Sequence, residues 1–357
     1  MKGLLFFTFI LSVVMLILPL PALRQNDGFY LPVSQNPAES VTASKSYPSL
    51  TQDDPSNENS QPADNTQVLE PVKEFKILNR STGKVDKVSM QDYVRGALAA
   101  EMPATFHLEA MKAQAVAAHT YALNLKRQNE NGTDSTLKGA DFSADPQNWL
   151  GYVTEDLARE RFGDNFEVYW NKICKAADSV MQYVLVYEEQ PIVAAYHAIS
   201  AGQTEDAANV WLTGVPYLVP VESQGDQLAP GYESAVTFTQ AQIKEKLSKA
   251  YPESNFSADP AAWFGNIQRS ESGYITSVTA CGVQMHGKEL RELLGLRSSN
   301  MEITYANGQF TIVVKGYGHG VGLSQYGADY MARQGDSFDI ILSHYYPGTQ
   351  LAQIGAE

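Results

Sequence analysis

Apolar positions along this chain of 357 residues fall into three regimes. From Gly3 to Leu23 they run almost unbroken, interrupted by Thr8, Ser12, Pro19 and Pro21. The run lies between a long signal peptide and a spanning helix, which needs about 20 residues. Lys2 before it and an acidic stretch after it fit the positive-inside tendency. No clear small-x-small cleavage site lies near Pro21-Ala22-Leu23, so residues 1–23 are read as an uncleaved membrane anchor. From 24 to 70 apolar residues give way to Ser, Asn, Gln, Asp and five prolines. That composition cannot offset its ordering entropy and predicts a disordered tether. From 71 to 357 the periods of folded elements return, and this stretch is read as one large domain.

Within that domain, Phe75 and Ile77 alternate with polar residues. Ser81-Thr82-Gly83-Lys84 then supplies a turn before Val85 and Val88, which predicts a hairpin. Ser89, with Asp92 three residues on, predicts a capped helix through Tyr93, Leu98 and Ala100, ended by Pro103. A second helix is expected from Phe106 to Arg127, capped by Thr105, with Leu108, Met111, Ala115, Ala118 and Ala122 on one face. A helical pattern covers 155–182, and strands are expected at Tyr183–Tyr187 and Ile192–His197. Asn307-Gly308 predicts a tight hairpin between Glu302–Tyr305 and Phe310–Lys315. Helices are expected at Ser324–Arg333 and Phe338–Tyr345. Strands and helices do not alternate regularly, which predicts an α+β fold with short, mostly antiparallel strands.

Charge and cysteine content narrow the function. The net charge is −14, and 24–70 contributes −5 of it through seven acidic and two basic residues. No basic stripe is present to neutralise phosphates, which argues against a nucleic-acid partner. Cys174 and Cys281 match no zinc spacing. They are either one disulfide of an exported protein or two buried thiols.

Three segments carry candidate chemistry. In Ala100-Glu101-Met102-Pro103 a glutamate ends a helix, where the helix field and apolar neighbours disfavour the carboxylate and raise its pKa. A raised pKa suits a general acid, although a lone glutamate at a helix end is usually a solvated charge. Tyr196-His197-Ala198-Ile199-Ser200-Ala201-Gly202 places a histidine and polar groups at a strand end. Gly316-Tyr317-Gly318-His319-Gly320-Val321-Gly322-Leu323-Ser324-Gln325-Tyr326 spaces four glycines so that backbone can approach a ligand or another strand. Val321 occupies the third-glycine position of a dinucleotide fingerprint, so that motif fails.

Taken in order, these segments resemble the SpoIID/LytB family over residues 73–350. The Glu101-Met102-Pro103 and Gly318-His319-Gly320-Val321-Gly322 pair is the specific part. The resemblance implies a peptidoglycan lytic transglycosylase with Glu101 as catalytic acid. It would cut between N-acetylmuramic acid and N-acetylglucosamine on strands stripped of stem peptides by a partner amidase. An anchor followed directly by the domain looks more like the sporulation branch, acting in septal wall remodelling beside membrane proteins of the engulfment machinery. Tyr196, His197, Ser200, Tyr317, His319, Ser324, Gln325, Tyr326 and His119 are the expected substrate contacts. The chain departs from the family where His119 replaces an arginine, where Ser-x-Ser-Gly-Gly is reduced to Ala198–Gly202, and where the zinc-binding cluster of some members is missing. No metal or cofactor is expected. Asp92, Glu109, Asp145 and Glu205 are available as a second carboxylate if the reaction is a hydrolysis. The rival from another class is a non-catalytic, wall-binding enhancer of an amidase.

Overall fold

A computed structural model describes residues 68–355 apart from 71, 131 and 133. The expected anchor and nearly all of the tether lie outside the described residues. Among those described, no helix is long and apolar enough to cross a membrane.

The chain enters through β1 (Val68–Leu69) and a hairpin of β2 (Glu74–Asn79) and β3 (Val85–Ser89). The Ser89 hydroxyl accepts the Asp92 N–H at 3.0 Å and starts α1 (Met90–Glu101). That helix buries Tyr93, Val94, Ala97 and Leu98, and a fully buried Leu or Val side chain contributes about 1.5–3 kcal/mol. It stops at Met102, whose backbone is extended ahead of Pro103, as the sequence predicts.

The next helix, α2 (Leu108–Gln128), begins later than expected. A turn closed by Phe106 N–H on the Pro103 carbonyl leaves Thr105 exposed outside the helix. The cap is His107, whose Nδ1 accepts the Glu109 N–H at 3.3 Å. After β4 (Phe142–Ala144), which pairs parallel with β2, the pattern predicted as one helix over 155–182 resolves into two. α3 (Glu155–Phe162) ends at Gly163, whose φ of +51° leaves the helical region, and α4 (Phe166–Ser179) resumes beyond it.

β5 (Tyr183–Tyr187) forms as expected. The strand predicted at Ile192–His197 survives only at its flanks, as β6 (Gln190–Pro191) and β7 (Tyr196–His197). Between them, N–H groups of Ala194 and Ala195 bond carbonyls two residues back and curl the chain. The short α5 (Ala207–Trp211) follows.

A second lobe, unforeseen apart from its last hairpin, occupies 233–315. It contains β8 (Glu233–Thr239), α6 (Gln240–Ala250), β9 (Phe264–Arg269), β10 (Ile275–Ala280), β11 (Val283–Met285), α7 (Gly287–Leu294), β12 (Met301–Ala306) and β13 (Gln309–Lys315). Two antiparallel three-stranded sheets, β11-β10-β9 and β12-β13-β8, enclose Ile243, Leu247, Val278, Leu290, Phe310 and Ile312. The β12–β13 turn sits on Asn307 and Gly308, both at positive φ, as the dipeptide predicts.

The chain then returns through β14 (Leu323–Ser324), α8 (Gln325–Arg333), α9 (Phe338–Tyr345) and β15 (Gln350–Ile354). β15 lies between β1 and β5, and β14 pairs parallel with β7. The first core gathers α1, α2, α4, α9 and the β1-β15-β5-β6 sheet around Leu98, Ala115, Ile173, Val184, Leu342 and Tyr346. The architecture is α+β with mainly antiparallel pairing, as expected, plus parallel pairs at β1–β15, β2–β4 and β7–β14. Cys174 and Cys281 are both free thiols, so the disulfide does not form.

The middle of α1 fits against the chain at Val153, where a Cβ added to Gly96 would stand 2.2 Å from the Val153 carbonyl oxygen. Alanine gains about 1 kcal/mol over glycine inside a helix, but overpacking costs about 1–3 kcal/mol, and this overlap is with backbone that cannot turn aside. Gly96→Ala is therefore expected to lower the thermal melting temperature. A higher melting temperature would contradict this packing.

Candidate active site

Glu101 is the last residue of α1, and the extended Met102 with Pro103 turns the chain away beyond it. Met102, Ala104 and Phe106, which follow it in the chain, are buried, while Glu101 itself stays partly exposed. Burial pushes its carboxyl up to about 7, and a hydrogen bond from the Gln325 amide, which favours the carboxylate, opposes the shift. Of the two causes expected from sequence, burial among apolar groups is the one that accounts for the shift here. Among the described residues, no carboxylate is among the influences that shift Glu101. Gln325 also reaches towards Gln114 of α2, at 3.5 Å.

Several contacts hold α8 against the turn after Glu101. The His107 N–H donates to Asp329 at 2.6 Å, and Arg333 donates to the Thr105 carbonyl at 3.3 Å. The Tyr326 ring meets Phe106 edge-on at 4.8 Å. From the other side, the Lys172 ammonium holds the Phe106 carbonyl at 2.7 Å. Thus a residue 224 positions later in the chain is fixed beside the glutamate.

The start of α8 is anchored by a carboxylate that the sequence did not single out. Asp226 is fully buried and accepts from the Ser200 N–H at 2.9 Å and the Ser324 hydroxyl at 2.6 Å. Ser223, which also bonds Asp226, meets the Tyr345 hydroxyl at 2.7 Å. Burial raises the Asp226 carboxyl above its usual range, and these donors work against it. Ser200 and Ser324 are therefore buried pins that set the α8 entry, rather than groups facing a ligand. Asp226 sits in Gln224-Gly225-Asp226-Gln227, which carries no recognisable spacing, so no sequence signal pointed to it.

The glycine-rich loop serves the backbone-to-strand alternative. A Cβ on Gly322 would stand 2.1 Å from the Ala195 carbonyl oxygen, and one on Gly318 would stand 2.6 Å from the His197 Cβ. The loop thereby lies against 195–200, with Ile199 bridged to Tyr317 and Ser324 paired with His197. The His197 Nδ1 meets the Val321 carbonyl at 3.1 Å, and the Val321 N–H donates to the His319 Nδ1 at 3.0 Å. The two imidazoles lie 5.6 Å apart, centre to centre, and Trp211 lies 5.7 Å from His319. Burial pushes His197 down to about 4 and His319 well below the usual range, so both rings are neutral at pH 7.

Of the expected contacts, Gln325 and Tyr326 gather near Glu101, and Tyr196, His197 and His319 line the neighbouring β7–loop junction. His319 and Tyr196 are partly exposed, whereas His197 is buried. Tyr317 does not project from the loop. It is buried with Ala198 and Ile199 under the Arg297 guanidinium, 4.3 Å above its ring. His119 is also misplaced by the sequence reading. It is 1% exposed inside α2, and burial pushes it down to about 4, offset only in part by the Tyr183 backbone. Such a neutral core imidazole offers nothing to a ligand at the surface. Among the described residues no three His, Cys, Asp or Glu side chains gather as a metal site.

Comparison with known proteins agrees with the family resemblance. The family model for the Stage II sporulation protein (SpoIID) matches residues 79–187, which include Glu101 and His119. Stage II sporulation protein D of Bacillus subtilis (strain 168) is 34% identical over 283 residues, 79% of this chain and 79% of its own length. Stage II sporulation protein D of Bacillus amyloliquefaciens is 34% identical over 278 residues, 78% of each chain. An amidase enhancer of Bacillus subtilis (strain 168) is 28% identical over 307 residues, covering 72% of this chain but 40% of its own. With 34% identity extending across both lobes, the chain belongs to the SpoIID family of stage II sporulation proteins.

Proposed function

We propose that the chain is a peptidoglycan lytic transglycosylase, acting on peptide-stripped glycan strands during endospore formation. The observation that carries this is the Glu101 carboxyl, half-protonated near pH 7 yet partly open to solvent. As the acid, Glu101 donates its proton to the glycosidic oxygen between N-acetylmuramic acid and N-acetylglucosamine, and the C1–O bond breaks towards an oxocarbenium-like state. The resulting carboxylate takes the proton from the muramic C6 hydroxyl, whose oxygen closes on C1 to give a 1,6-anhydro end.

One carboxylate suffices because the nucleophile belongs to the substrate, whereas a hydrolase normally needs a second. The four available carboxylates are committed elsewhere. Asp92 accepts from Ser89 at the opposite end of α1, and Glu109 is held by Lys112 and the Phe338 N–H. Asp145 accepts from Ser81 and Asn148, and Glu205 from Asp206, Asn209 and Ser270. This arrangement supports the anhydro outcome over hydrolysis. In the cell, the proposal places the domain on the wall side of a membrane, carried by the apolar 1–23 run, working with an amidase and membrane proteins of engulfment.

A second reading has its own support, because one relative is named an amidase enhancer. Under it, the chain binds glycan and stimulates an amidase without cutting. Mass spectrometry of fragments released from denuded strands separates the two. The lytic reading expects anhydro-ended fragments from the native chain, with Glu101→Gln reducing their rate by about 10²–10⁴. Reducing ends would replace it with hydrolysis, and glycan binding with amidase stimulation but no release would favour the enhancer.

Because the acid form reacts, activity is expected to fall as pH rises through about 7. Gln325→Leu removes a bond that favours the carboxylate, so the alkaline limb should move to higher pH. A limb that stays or moves lower would contradict that role. Stability follows the same sign. The folded carboxyl titrates above its unfolded value, so the protein carries a penalty absent below about pH 4.5 and full above about pH 7. Glu101→Gln should raise the melting temperature at pH 8, by at most about 3 kcal/mol of stability, and leave it nearly unchanged at pH 4. Equal melting of both proteins at pH 8 would show that the carboxylate is not penalised by burial.

A further inference from the structure

The solvent side of α8 carries aromatic rings that the proposed proton transfers do not use. Tyr326 and Tyr330 are four residues apart, which places them on one face of the helix, about 6 Å apart along its axis. Tyr326 meets Phe106 of the turn that follows Glu101, so this face begins beside the acid. One turn further on, Tyr330 is 38% exposed, although Ala328 and Ala332 of the same helix are buried.

The Tyr330 side chain is seated on backbone. A Cβ on Gly225 would stand 2.3 Å from the Tyr330 Cβ and 2.4 Å from its Cγ, so glycine is what leaves room for the ring. Gly225 belongs to a 3₁₀ turn, Gln224–Leu228, in which residues three apart eclipse one another. Leu228 therefore lies on the side of that turn that faces Tyr330, and it is 62% exposed. A ring braced in this way has little rotamer freedom left to lose when a ligand arrives. The charged groups on this face of α8 are already paired. Asp329 accepts from Arg333 at 2.8 Å and from the His107 N–H at 2.6 Å, and Arg333 donates to the Thr105 carbonyl at 3.3 Å. The strip thus offers phenol rings, an apolar edge at Leu228 and exposed amides at Gln224 and Gln227. That set suits an uncharged ring with apolar faces and a polar rim, which describes a pyranose and not an anion.

We infer that Tyr330, braced on Gly225 and flanked by Leu228, is the platform of a distal subsite for an uncharged N-acetylhexosamine unit of the strand. The inference rests on the glycan substrate proposed above and adds a binding position away from the bond that is cut. Its consequence is a dependence on strand length. A strand that runs from Glu101 along α8 to Tyr330 gains the ring contact, and a fragment too short to reach Tyr330 does not. Products shortened by cutting therefore leave more readily than strands that still cover both positions.

The test measures binding, so it does not depend on turnover. Full-length chain bearing Glu101→Gln is titrated calorimetrically with uncharged N-acetylglucosamine oligomers of two and of six units. The hexamer is expected to bind more tightly than the dimer. Adding Tyr330→Ala should weaken the hexamer about tenfold, the scale of one aromatic contact, and leave the dimer unchanged. Tyr330→Phe should keep most of the hexamer affinity. Gly225→Ala, which drives the ring off its seat, should lose the same factor as Tyr330→Ala. A hexamer that binds no better than the dimer overturns the subsite. So does hexamer affinity that survives Tyr330→Ala, or a dimer weakened as much as the hexamer, in a protein with unchanged melting. Anhydro-end formation by the native chain is scored separately, so loss of the subsite and loss of the lytic reading give different results.

Discussion

The site depends on keeping one carboxyl dry enough to hold its proton near neutral pH while leaving it open to a ligand. A helix end delivers that compromise. Proline after Met102 forces the chain to turn immediately beyond Glu101, and Met102, Ala104 and Phe106 of that turn are buried while Glu101 stays partly exposed. The burial that raises the pKa costs folded stability whenever the group ionises. The surrounding packing has to supply that stability, and it comes from the alanine-rich contact of α1, α2 and α4, where Ala97, Ala113, Ala115, Ala118 and Ala176 are buried.

The second requirement is a partner for the carboxyl from elsewhere in the chain. Gln325 reaches Glu101 only because Asp226 fixes Ser324 one residue earlier, while Asp329 and Tyr326 clasp the turn after Pro103. Asp226 is an uncommon choice, since a buried carboxylate is costly unless its donors are satisfied. Here the Ser200 backbone and the Ser223 and Ser324 side chains satisfy it. The second lobe is tied to the same region. Tyr274 receives the Ala201 N–H at 3.0 Å, and Gly316 donates to the Tyr232 carbonyl at 2.8 Å. The inserted lobe and the returning helix therefore position the acid together.

Legibility from sequence followed the range of the interactions. Ser89, Met102-Pro103 and Asn307-Gly308 act within a few residues, and each marked its boundary correctly. Thr105 failed as a cap because the turn from Pro103 shifts the helix start to His107, a residue type that the sequence reading did not weigh as a cap. The 155–182 run looked continuous because Gly163 is tolerated inside helical patterns until its φ is known. Much of the second lobe stayed hidden because β9 is largely exposed and α6 and α7 are short and charge-rich. At the site, Glu101 and Gln325 were named but not their contact. His119 and Tyr317 were misread because neither residue type declares whether it faces the core or a ligand. Asp226 was missed because its role exists only through serines and a tyrosine distant in the chain.

The most direct measurement is a pH titration of the Glu101 side-chain carboxyl carbon by ¹³C NMR, with the resonance assigned by its loss in Glu101→Gln. The account predicts a midpoint about 7. A midpoint near the ordinary value of 4.5 would mean that the helix end leaves the carboxyl solvated and ionised, and the acid role assigned to it would fail.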